Sequence, residues 1–110
     1  MNENLLKNVK QFVVSADLVY NSGDYTSAAM LYFKALFVGL DIMLLKAVKK
    51  SPKDHAERFR MLEASFPEEY VLLDRYFNVY QSTYTITIDK STAEEVRNYV
   101  KRTLSKHLGI

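Results

Sequence analysis

The stretch from Gly23 to Lys50, GDYTSAAMLYFKALFVGLDIMLLKAVKK, limits what this chain can become more than any other part of it. It contains no proline, carries Asp24 at its start and ends in Lys46, Lys49 and Lys50, an order of charges that suits the dipole of one long helix. Such a helix is about 40 Å long. At roughly 100° per residue, Ser27, Lys34 and Asp41 share one thin stripe, and Leu31, Val38 and Leu45 flank even that. A helix apolar around nearly its whole girth has to be covered from several directions. Its length would also span a bilayer, but Lys34 and Asp41 stand at its middle and the rest of the chain supplies partner helices. The reading is therefore a central rod in a bundle, with no membrane.

Residues 3–21 place Leu5, Leu6, Val9, Phe12, Val13, Ala16 and Val19 or Tyr20 at helical spacing, an amphipathic first helix. Asn21-Ser22-Gly23-Asp24 ends it: glycine suits a left-handed residue, and Ser22 or Asp24 can cap the rod. So short a turn makes the two helices antiparallel neighbours. After the rod, Ser51-Pro52-Lys53-Asp54 breaks the chain, and Asp54 with Glu57 starts a third helix that turns Phe59, Met61 and Leu62 inward. Pro67 followed by Glu68 and Glu69 starts a fourth. It runs to about Tyr84, with Leu73, Phe77, Tyr80 and Tyr84 on one face, widened by Tyr70, Leu72 and Tyr76. Asp74, Arg75, Asn78, Gln81 and Ser82 lie opposite.

Residues 83–88 (TYTITI) alternate in strand fashion but have no strand to pair with, so they are predicted to be an extended connection. Asp89, Ser91 or Thr92 then caps a final helix, with Glu94 or Glu95 completing a box. That helix turns Val96, Val100, Thr103 or Leu104, and Leu108 inward, and Arg97, Lys101, Arg102 and Lys106 outward. The fold class is all-α: an up-and-down bundle of four to five helices built on a long second helix, in a single domain over residues 1–110.

Composition narrows the chemistry. With no cysteine there are no disulfides or thiolate ligands, and two histidines are too few for an ordinary structural zinc site, so neither a metal nor a cofactor is implied. A net charge of +2 does not by itself point to nucleic acid. No cationic-then-apolar leader opens the sequence, and the expected location is the cytoplasm.

Gly23-Asp24-Tyr25, Ala28, Tyr32 and Ala35 look like the second half of a tetratricopeptide repeat, but the period of about 34 residues does not recur. Where the repeat expects proline stands Leu40. Ala28, Ala35 and Gly39 are better explained by close helix–helix approach. The same residues, followed by PKDHAERF from Pro52 and LLDRYFNVYQSTY from Leu72 before a capped last helix, resemble the HEPN domains. The likeness covers about residues 5–105. It implies a four- to five-helix bundle that usually dimerises, often as the partner of a small nucleotidyltransferase in toxin–antitoxin systems. Active members are metal-independent ribonucleases with Arg-x4–6-His on the penultimate long helix. Arg75 occupies the arginine position, but Tyr80, Gln81 and Ser82 stand where histidine should follow, and a tyrosine is a poor general base near neutral pH.

Several residues admit a sharper and a plainer reading. His55, with Lys53 and Arg58, could form an anion site at a helix start; the plainer role is capping and surface. Arg75 with Asn78 and Ser82, beside Tyr80 and Tyr84, could grip a phosphate while the tyrosines stack on a base. The plainer reading makes the tyrosines core or dimer-seam aromatics and pairs Arg75 with a carboxylate such as Asp41. Asp41 needs a cationic partner or a wet interface edge. Arg97, Lys101, Arg102 and Lys106, helped by His107, are most simply a solvated face complementing the helix dipole, with an RNA patch as the alternative. The sequence holds no Gly-rich phosphate loop, no His-Glu-x-x-His and no nucleophile with an adjacent base.

The expected function is a non-catalytic, homodimeric helical module that binds nucleotide or RNA, or serves a nucleotidyltransferase. The dimer is expected because the flanking helices would cover only part of the rod. The alternatives are a divergent ribonuclease using Arg75 with Tyr80, Tyr84 or His55, and a purely structural adaptor.

Overall fold

Residues 2–110 are described by the computed structural model, and its helices break where local sequence chemistry demands. They are α1 (Asn2–Asn21), α2 (Tyr25–Val48), α3 (His55–Ser65), α4 (Pro67–Ser82) and α5 (Lys90–Leu108), with no strand among the described residues. Gly23 takes φ +91°, and Asp24 caps α2 by accepting from the Ser27 N–H at 3.1 Å. The Asp54 side chain accepts from the Glu57 N–H at 2.8 Å, while Glu57 reaches back to the Lys53 N–H at 3.0 Å. Pro67 opens α4, where no N–H is missed, and Asp89 caps α5 by accepting from Thr92 at 2.8 Å.

α1 and α5 lie along α2, and the α3–α4 hairpin closes over its remaining side. From Ala28 to Leu44 only Lys34 is exposed. Most of the rod is thus sheathed by the other helices of its own chain. α2 is long and apolar enough to cross a membrane, yet 67% of that stretch is buried inside the fold. Small residues make the close packing possible: Ala28 and Ala35 are fully buried, and a methyl group on Gly39 would collide with Cδ2 of Leu104 on α5.

Three sequence expectations need correction. Residues 83–88 are not extended throughout: the Thr85 and Ile86 N–H groups donate to the Ser82 carbonyl at 3.0 and 2.9 Å, winding one more turn past α4. The segment straightens only afterwards, where Ile88 buries its side chain and donates its N–H to Thr26 Oγ1 at 2.8 Å. Tyr84 therefore leaves the inward face of α4 and is 66% exposed. On α5, Arg97 and Lys101 are half-buried rather than solvated, reaching Asp17 of α1 at 3.7 and 3.0 Å.

Candidate functional site

The first turn of α3 crosses the middle of α2 and meets the C-terminal half of α4. Capping by Asp54 fixes where α3 starts, so His55 and Arg58 lie one turn apart against α2. Arg58 is 8% exposed and binds Asp41 as a fork: Nε donates to Oδ1 at 2.7 Å and Nη2 to Oδ2 at 3.0 Å. Its Nη1 donates to His55 Nδ1 at 2.7 Å. That bond makes Nδ1 an acceptor and leaves the hydrogen of the neutral ring on Nε2. Burial and the Arg58 charge both hold the His55 pKa below its ordinary value.

Aromatic rings enclose this polar core. His55 lies 4.8 Å from the Phe37 ring, 5.3 Å from Phe77 and 5.7 Å from Tyr80, and the Arg58 guanidinium stands 5.1 Å over Phe37. The Tyr80 and Tyr84 hydroxyls share a hydrogen bond of 3.0 Å, which together with burial raises the Tyr80 pKa. The sequence-predicted residues thus divide. His55, Arg58, Tyr80 and Tyr84 come together beside the middle of α2.

Arg75, Asn78 and Ser82 do not join them. At about 100° per residue, Arg75 stands roughly 140° around α4 from Tyr80, and Asn78 and Ser82 roughly 160°. Arg75 and Asn78 are exposed, and the Ser82 hydroxyl is turned back to the Val79 carbonyl at 2.8 Å. Asp41 does find its cation within the bundle, but the partner is Arg58 and not Arg75. The reason is geometric: α3 returns across the middle of α2 while Arg75 is on the outer face of α4.

No family model, curated protein or solved structure matches the chain. The chemistry of the site is therefore read from its own atoms. Three of the five guanidinium N–H groups of Arg58 are taken by Asp41 and His55. A phosphate would have to displace a carboxylate already bound in fork geometry. His55 has its acceptor nitrogen occupied, and among the described residues no cluster of three His, Cys, Asp or Glu could hold a metal ion. The arrangement neutralises its own charge and joins α3 to α2; it offers neither a free general base nor a free cation at its centre.

Two further clusters join distant elements. Asp17 accepts from the Tyr32 hydroxyl of α2 and from Lys101 of α5, and Arg97 lies 5.5 Å over the Tyr20 ring. Burial pushes the Asp17 carboxyl up, but the bonds from Tyr32 and Lys101 with the charges of Lys101 and Arg97 outweigh it, holding the pKa below 3.8. At the other end, Glu69 is 4% exposed and shares a 2.8 Å hydrogen bond with Nε2 of His107, which ties α4 to α5. Tyr99, buried, stacks on Tyr76 with ring centres 4.6 Å apart. Nothing local marks Glu69 as an interior residue, since an acid in a first helical turn reads as a dipole partner in water.

Proposed function

We propose that this chain is a non-catalytic helical module that works by binding other proteins, as HEPN-type partners of small nucleotidyltransferases do. The observation that carries this reading is the closed charge balance of Asp41, Arg58 and His55. The cluster that holds His55 and Arg58 spends its donors and acceptors on itself, and Arg75 is separated from it by most of the width of α4. Self-association, common among HEPN domains, belongs to the same reading, with surface other than α2 as its contact.

Incubation of the purified protein with RNA in a chelating buffer tests the proposal. Intact RNA is the expected result, for the natural protein and for Arg75→Ala alike. Cleavage that needs no metal and disappears in Arg75→Ala would establish the ribonuclease reading instead.

One observation favours nucleotide or RNA binding as a second reading: the exposed Tyr84 ring stands edge-on to Tyr80 with centres 5.8 Å apart, a surface on which a base can stack. In that case ATP or GMP raises the melting temperature by mass action, and Tyr84→Ala removes the rise.

A further inference from the structure

α1 and α5 both lie on α2 and are bridged through Asp17; beside the middle of α1 they leave an open channel of about 390 Å³ between them. Val13 and Val14 of α1 line one wall, with Leu104 and Ile110 on the other side, and Lys10 and Lys101 stand at the rims. The apolar surface continues along α1. Val14 is 60% exposed and Leu18, one turn on, 67%. Folding has left Val14 and Leu18 in water although most of the rod beneath is covered.

Both charged residues that line the channel are lysines, Lys10 and Lys101. Lys7 and Lys10 are exposed on α1 and form no ion pair among the described residues, while Arg97 and Lys101 edge the α5 side. The carboxylate between these rims, Asp17, is already engaged by Tyr32, Lys101 and Arg97. An occupant that brings carboxylates along the α1 edge of its apolar stripe would meet the unpaired ammonium groups of Lys7 and Lys10 there.

The shape selects a helix. A trough between two helices resting on a third accepts side chains spaced three and four residues apart, the mode by which amphipathic helices dock into grooves. RNA is a poor match, because no aromatic ring lines the channel for stacking. A lipid surface is a poor match as well, because it cannot fill a concave trough. Two copies of α1 meeting here side by side and parallel would bring their own Lys7 and Lys10 residues together.

We infer that the α1–α5 channel is the docking site for an acidic amphipathic helix of a partner protein. This inference rests on the protein-binding reading above and gives that partner its chemistry. Val14 and Leu18 supply the apolar contact, and Lys7 and Lys10 select against basic helices.

Two synthetic helical peptides of about 18 residues test it. Both carry the same Leu/Ala stripe, one flanked by Glu and the other by Lys, and binding to the full chain is followed by fluorescence anisotropy. The Glu-flanked peptide is expected to bind about tenfold more tightly, and less tightly as salt rises. Val14→Asp and Leu18→Asp, both at exposed positions, should abolish binding without lowering the melting temperature, and Lys10→Glu should narrow or reverse the preference. Equal binding of the two peptides, binding by neither, or binding that survives Val14→Asp would overturn the proposal. So would self-association in sedimentation that Val14→Asp abolishes, which would give the channel to a second copy. Retention on phosphatidylserine vesicles that the same substitution abolishes would give it to a membrane. None of these outcomes depends on RNA cleavage, so the channel and the non-catalytic reading fail separately.

Discussion

Arg58 and Asp41 show how much one pair can do. Arg58→Leu would leave Asp41, whose side chain is 23% exposed, without a partner against the middle of α2. The expected cost is about 2 kcal/mol, less than for a fully buried charge because water still reaches Asp41. Urea unfolding measures it, and Asp41→Leu combined with Arg58→Leu should cost less than the two single changes added together. Asp17 gives a second outcome, in pH. Its carboxyl is held below 3.8 in the folded chain, so its contribution to stability is present above that value and is lost as pH falls through the folded pKa. The Asp17→Asn protein should lose less stability than the natural protein on acidification below about pH 4, as followed by urea midpoints across that range. His55 acts nearer neutrality. Its pKa is lowered from 6.5, so the unfolded chain binds the proton first, and stability falls as pH drops from 6.5 to the folded value. That Asp41 required a cation was legible from its apolar surroundings. Which cation was not, because the choice between Arg58 and Arg75 depends on the path of α3 across α2, a property of no single segment.

Helix ends were legible because their chemistry is local. Gly23, Pro52, Pro67 and the capping acids Asp24, Asp54 and Asp89 act within three or four residues of themselves. The segment 83–88 departs from its local pattern for the complementary reason. Its alternating β-branched residues suggest extension, but Ile88 is drawn into a small cluster with Ala29 and Ala93, from α2 and α5. The slack is taken up as an extra turn after α4. Gly39 marks the closest approach of two elements, and its value is testable. Gly39→Ala gains helix propensity of about 1 kcal/mol, but the new methyl group meets the Leu104 side chain inside a filled interface. Overpacking of about 1–3 kcal/mol should prevail, giving a net loss in the melting transition. In a Leu104→Ala background, where the space is vacant, the same substitution should be neutral or stabilising.

Over the whole molecule, burial is uneven. α1, α2 and α5 carry most of the core, while the α3–α4 hairpin is held by the Asp41–Arg58–His55 cluster, the Glu69–His107 bond and the Tyr76–Tyr99 stack. The bundle, its long second helix and the enclosure of that helix were legible from the 18 residues Ala28 to Leu45, apolar but for Lys34 and Asp41. The source of the enclosure was not. Counting apolar faces on separate helices underestimates what five of them cover once Phe37, Phe77 and Tyr80 interlock, with ring centres 6.3, 5.5 and 5.0 Å apart. Part of what remains apolar at the surface is on the outside of α1, where the channel beside α5 runs, and part is on α4 and the turn after it, at Val71, Tyr84 and Ile86.

Amide hydrogen exchange on dilution tests this enclosure most directly. At concentrations where sedimentation finds single chains, the amides from Ala28 to Leu44 should remain among the slowest to exchange, opening only with global unfolding, at rates independent of protein concentration. Exchange in that segment that accelerates on dilution would contradict it, since the rod would then owe its cover to a second molecule.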